Sequence, residues 1–186
     1  MSQRYLGPWR IDVQLRPGIP RPLPAPIVEL ARAVANALDV AGAPEPASIG
    51  LVLSDDRELA ELNATHLGGE GPTDVLSFPL LPPEAFPPHV GDDDRGPGPR
   101  PADAAFFAGP PGRRTPLGDI VVSVERAIAQ AAAGRGGQTG TVHWSARDEL
   151  RLLVTHGALH ICGWDHAEPA EETAMRALEQ RLLASR

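Results

Sequence analysis

The residues able to do chemistry concentrate in one stretch, Val154-Thr-His-Gly-Ala-Leu-His-Ile-Cys-Gly-Trp-Asp-His166. His156 and His160 stand four positions apart, so on a helix both imidazoles project from one face, one turn apart. Gly163 follows and can take the left-handed conformation that ends a helix. The turn then brings His166 back towards the first two. Three neutral imidazoles converging on one point, with a fourth position open to water, are the usual arrangement of a catalytic zinc site, and one zinc per chain is expected. A lone histidine on an apolar helix face is more often a hydrogen-bonded core residue than a ligand. Three of them around a glycine turn are costly to bury unless each finds a partner, and a shared cation is the simplest one.

The spacing H-x-x-x-H-x-x-G-x-x-H is also that of the metzincin proteases, whose motif carries a general-base Glu directly after the first His. Here that position is Gly157. Peptide hydrolysis depends on that Glu to activate water and pass its proton on. Phosphodiester attack can rely on zinc itself to acidify water and polarise a phosphoryl oxygen. Asp165, beside the last histidine, could hydrogen-bond an imidazole N–H or the attacking water; it is equally well read as a turn-forming residue after Gly163. Cys162 lies at a position suited to packing.

These residues must be carried by a long helix, and the sequence supplies its start. Ser145 with Asp148 three residues on forms a capping box, opening a helix through Leu150, Leu153 and Val154 into the histidine motif. Pro169 marks the first turn of a final amphipathic helix with Met175, Leu178, Leu182 and Leu183. Upstream, Trp9, Ile11, Val13 and Leu15 alternate with polar residues as a half-buried strand. Pro17 to Pro26 is a Pro-rich connector. Ile27 to Val40 has helical spacing and is closed by Gly42. Ser48 to Leu53 is a second strand. Ser54 is expected to N-cap the next helix, with Asp55 and Asp56 in its first turn, running to about His66. Pro72-Thr-Asp-Val-Leu-Ser-Phe-Pro79 is a strand bounded by prolines, which suits a sheet edge. Leu117 to Val124 is a continuous apolar, β-branched run, expected to be buried on both faces. A short Ala-rich helix, Glu125 to Ala133, follows it.

The order is strand, helix, strand, helix, strand, strand and three helices: an α+β fold, a small mixed sheet packed with helices in a single domain. Residues 82–115 interrupt this order. They are rich in Pro, Gly and Asp without periodicity and are expected to be a disordered or loosely draped insertion, with Phe106-Phe107 its one apolar spot.

The chain has 186 residues, enough for one well-cored domain, and a formal net charge of −7. That charge argues against nucleic-acid binding through bulk positive charge, though a local basic patch stays open. All 17 basic residues are arginine. One cysteine precludes an intrachain disulfide. With neither a signal pattern nor an apolar run of membrane-spanning length, the expectation is a cytoplasmic, soluble protein.

At the histidine motif the sequence resembles the YbeY family of bacterial endoribonucleases and ribosomal-RNA maturation factors. Pro72-Thr-Asp-Val-Leu-Ser-Phe-Pro79, Leu117-Gly-Asp-Ile-Val-Val-Ser123 and Asp55-Asp56 with Leu62-Asn63 are similar to further family blocks. The resemblance covers roughly residues 10–80 and 116–184. It implies a zinc-dependent hydrolase of single-stranded RNA phosphodiesters with a zincin-like site helix. His156, His160 and His166 would be the ligands, ribosomal-RNA precursors the substrate, and small-subunit ribosomal proteins candidate partners. No membrane or DNA is implied.

Two departures from the family stand out. The resemblance implies an arginine near the scissile phosphate, in the turn before the Pro-Thr-Asp strand, where this chain has Leu67. The role is then vacant, or filled by adjacent His66 or by Arg113 or Arg114 reaching in. The second is the insertion itself. Thr73, Asp74 and Ser77 could line the cleft edge for substrate, and equally could be ordinary strand residues. Two other readings accompany the nuclease: a metzincin-like metalloprotease, and a non-catalytic ribosome-assembly factor whose metal is structural, closed by a fourth ligand such as Cys162 or Asp165.

Overall fold

Two of the most apolar runs in the chain become the middle of its sheet. In the computed structural model, which describes residues 2–89, 113–134 and 144–184, β3 (Ala47–Ser54) and β5 (Thr115–Ser123) pair in parallel. β3 is buried on both faces and so is β5 from Ile120 to Ser123, as apolar runs in parallel ladders tend to be, while Pro116 and Asp119 of β5 are exposed. β2 (Trp9–Leu15) extends the parallel set beside β3. The edges are antiparallel: β1 (Ser2–Leu6) folds back on β2 through a two-residue turn, and β4 (Val75–Pro79) pairs with β5. The order β1-β2-β3-β5-β4 puts the proline-bounded strand at an edge, as its prolines require.

Among the described residues five helices complete the α+β fold: α1 (Ile27–Val40), α2 (Asp56–His66), α3 (Val124–Ala132), α4 (Ala146–Ile161) and α5 (Pro169–Ala184). The period-2 alternation of the strands sorts these helices onto two faces. Val52, Leu76, Val121 and Phe78 meet Leu59 and Leu62 of α2. Leu51, Leu53, Ile120 and Val122 belong to the main core on the other side, with residues of α1, α3, α4 and α5. Within that core α4 touches α1, α3, α5, β4 and β5. Leu150, Leu153, Val154, Leu159 and Ile161 are all buried on it. Each such burial is worth about 1.5–3 kcal/mol, so packing outweighs the roughly 1 kcal/mol that Gly157 costs the helix. Among the described residues, no helix is long and apolar enough to cross a membrane.

The structure departs from the sequence expectations at three places. β1 has no burial alternation and exists because hairpin pairing, not pattern, defines it. The cap of α2 is Asp55, whose carboxylate accepts from the Glu58 amide at 2.9 Å. Ser54 cannot serve, because β3 pairing continues through it to Ser123; its hydroxyl donates instead to the Glu58 carboxylate. The start of the expected insertion is part of the body: Pro83–Ala85 form a 3-10 turn and Phe86 is 2% exposed in the main core. Phe106-Phe107 is therefore not the one apolar spot of 82–115. Residues 90–112, those phenylalanines included, lie outside the described residues.

Candidate metal centre

The site begins with the way α4 is capped at both ends. Ser145 and Asp148 form the expected capping box at its start. At its end Gly163 takes φ +82°, the Gly163 amide donates to the His160 carbonyl at 3.0 Å, and the Trp164 amide donates to the Leu159 carbonyl at 3.1 Å. This paired closure is the Schellman turn, and it reverses the chain within three residues of His160. His166 consequently folds back over the helix. Asp165 fixes it there by accepting from the His166 backbone amide at 2.7 Å. Asp165 thus takes the turn-forming role, with its carboxylate on a backbone amide rather than on an imidazole.

The three rings meet. One ligand-capable atom from each of His156, His160 and His166 lies within 4.8 Å of the other two. The two Nε2 atoms of His156 and His160 are 3.0 Å apart. The rings are only part-shielded at 156 and 160, and His166 is exposed, so the cluster opens to solvent on one side. Burial lowers the pKa of His160 to about 4, and the neighbouring His156 and His166 push the same way. At neutral pH this ring is uncharged and its lone pair is free to ligate. Cys162, by contrast, is 1% exposed and burial pushes its thiol up to about 12, so it is a packing residue at the helix end.

Sequence reasoning missed the second wall of the site. Glu172, Met175, Arg176 and Glu179 of α5 line a cavity of about 160 Å³ together with His156 and His166. Their spacing, i, i+3, i+4 and i+7, is one helical stripe. Glu179 is 3% exposed, and His156 Nδ1 lies 2.7 Å from its Oε1. The only signal available in sequence was an acid set into the apolar stripe of Met175, Leu178 and Leu182.

Gly157 faces the sheet, not the cavity. A Cβ there would lie 2.6 Å from Ile120 Cγ2, 3.1 Å from Val75 Cγ2 and 3.2 Å from Ser77 Oγ. The position that holds the protease base therefore has no room for any side chain. Ser77 donates its hydroxyl to the Gly157 carbonyl at 2.9 Å, tying edge strand β4 to the site helix.

The other expected site residues scatter. Asp74 accepts from the Val75 amide and from Gln130 Nε2, both at 2.9 Å, and the Thr73 hydroxyl lies 3.3 Å from Asp74 Oδ1. These contacts build the entry to β4. His66 packs edge-on against Phe78, with ring centroids 5.2 Å apart. Leu67 ends α2 and is 68% exposed. Arg113 is exposed just ahead of β5. Arg114 reaches in the opposite direction from β4: its guanidinium donates to the Pro8 carbonyl and lies over the Tyr5 ring. One contact had no sequence signal. His89 stacks on Trp164 with ring centroids 4.3 Å apart, and its Nε2 lies 2.9 Å from the Gly163 carbonyl.

Three histidines on a capped helix and its return turn narrow the choice of family, and similarity over most of the chain decides it. The family model for Endoribonuclease YbeY matches residues 24–186. The chain belongs to the YbeY family. A YbeY endoribonuclease of Salinispora tropica is 44% identical over 150 residues, 81% of each chain. One from Roseiflexus castenholzii is 37% identical over 179 residues, covering 94% of this chain and 91% of the relative. A solution structure from Thermotoga maritima shares the fold with a TM-score of 0.52 at 20% identity, over 93% of this chain and 86% of that one. The YbeY relatives carry the name of endoribonucleases, hydrolases acting on RNA.

Proposed function

We propose that this chain is a zinc-dependent endoribonuclease that cuts single-stranded RNA phosphodiesters in the maturation of ribosomal RNA. The observation that carries the reading is the convergence of His156, His160 and His166 within 4.8 Å, on a face that stays open. The donor set suits a divalent ion of borderline softness: three imidazoles, one of them kept neutral by burial, and a carboxylate behind the first. His156, His160 and His166 would hold the ion, which would supply Lewis acidity towards water and a phosphoryl oxygen.

The residues of the chain supply the rest. Buried Glu179 stands 2.7 Å from Nδ1 of the His156 ring. Arg176 lines the same cavity, paired with Glu172, and offers a guanidinium to a substrate phosphate. Arg114 is engaged at Pro8 and Leu67 is apolar, whereas Arg176 already lines the cavity with His156 and His166. Ser77 and Asp74 hold β4 as the wall beside α4. Precursor ribosomal RNA in the cytoplasm is the substrate proposed, with small-subunit ribosomal proteins as partners.

Purified protein should contain about one zinc per chain and cleave single-stranded RNA in a chelator-sensitive way. Wild-type cleavage by a His156→Ala/His160→Ala protein would refute the site. Chelator-sensitive cleavage of unstructured protein would refute the reaction class.

A further inference from the structure

Glu179 is a carboxylate that the fold has taken out of water. It is 3% exposed, at the centre of α5, between the buried Leu178 and Leu182. A buried carboxylate is costly unless it is matched by a donor. The donor here is one ring nitrogen: His156 Nδ1, at 2.7 Å. The opposite nitrogen of that ring, Nε2, is the one turned to His160, 3.0 Å away. The two contacts divide the imidazole between two jobs. A carboxylate accepting at Nδ1 requires the proton there, which leaves the lone pair at Nε2, facing the other histidines.

We propose that Glu179 is a positioning residue for the metal. It fixes the tautomer and ring plane of His156 and thereby sets how tightly the three histidines hold a divalent ion. The inference rests on the metal-site reading above and deepens it. Its reach is longer than one hydrogen bond, because Glu179 belongs to a different helix from the ligand it orients. The motif of α4 and its return turn is contiguous in sequence, yet its first ligand is aimed by α5.

The probe is zinc itself, titrated against a chromophoric chelator with full-length protein. Glu179→Met keeps the length and apolar fit of the side chain but cannot accept the Nδ1 proton, and zinc affinity should fall about tenfold to a hundredfold. Glu179→Gln keeps a neutral acceptor oxygen and should lose less. In a His156→Ala background Glu179→Met should change the remaining affinity less than about twofold, because Glu179 acts through that ring. Leu178→Met, a volume-conserving change in the same helix outside the cavity lining, should keep wild-type affinity. An unchanged affinity in Glu179→Met, or an equal loss with and without His156, overturns the inference. Should Glu179→Met fail to fold, nitrogen NMR of zinc-loaded wild type decides it: the proton is expected on Nδ1 of His156, and a proton on Nε2 overturns the proposal. Wild type that binds no zinc refutes the metal site as a whole, which is a separate result.

Discussion

Gly157 offers the sharpest test, because two effects of known size oppose each other there. Replacing a mid-helix glycine by alanine ordinarily stabilises a protein by about 0.8–1 kcal/mol. At this position the added Cβ would sit 2.6 Å from Ile120 Cγ2, with Val75 Cγ2 and Ser77 Oγ at 3.1 and 3.2 Å. Ile120 is fully buried and cannot swing aside into solvent. Overpacking of this kind costs about 1–3 kcal/mol, so the contact should win by roughly 1 kcal/mol. In a 186-residue chain that lowers the thermal midpoint by about 2–4 °C. The displaced turn lies between His156 and His160, so zinc affinity should fall with stability. Ile120→Leu removes the offending Cγ2 while conserving volume, and combined with Gly157→Ala it should recover most of both losses. Differential scanning calorimetry of the metal-free protein, with a zinc titration, reads the two quantities. A higher midpoint in Gly157→Ala would show that α4 does not bear tightly on β4 and β5, and the argument that no base fits at 157 would fall with it.

Phe86→Ala should destabilise the protein by about 3–5 kcal/mol, measured by urea unfolding, because the ring is buried in the main core; a surface-like change below about 0.5 kcal/mol would place it outside that core. Arg176→Ala should slow RNA cleavage about tenfold to a hundredfold while leaving zinc content intact; full activity would assign the phosphate contact elsewhere. Leu67→Arg should raise cleavage only if the exposed end of α2 borders the bound RNA, and an unchanged rate would show that it does not. At Glu58, burial acts to raise the carboxyl, but hydrogen bonds from Arg16 and Ser54 together hold it below its ordinary value. Its contribution is present above the unfolded value of 4.5 and is lost as pH falls through the lower folded value. The stability difference between wild type and Glu58→Gln should therefore shrink as pH drops below about 4.5.

The site was legible where its chemistry follows helical periodicity. His156 and His160 share a face because they are one turn apart, and Gly163 announces the return that brings in His166. A capping box, two flanking prolines and a β-branched run similarly gave α4, the edge strand and the sheet centre. What could not be read depends on contacts between segments far apart in sequence. Glu179 looks like any surface acid until α5 is laid against α4. Arg114 looked able to reach the cleft until the sheet order put Pro8 and Tyr5 within its range. Phe86 looked like part of a polar stretch, since a single buried ring leaves no period to detect. Ser54 was passed over as cap because strand pairing claimed it first, and pairing has no local signature.

The stack of His89 on Trp164 has a consequence for how this chain can vary. Pro87 packs against Gly42 at the end of α1, Phe86 is sunk in the core, and His89 grips the turn between the second and third ligands. At the other root, Arg114 is moored to Pro8 and Tyr5. His89 and Arg114 are thus each held to the body by side-chain contacts. Variation at His89 is therefore not neutral: a change there acts on the turn that places His166, although the two lie far apart in sequence.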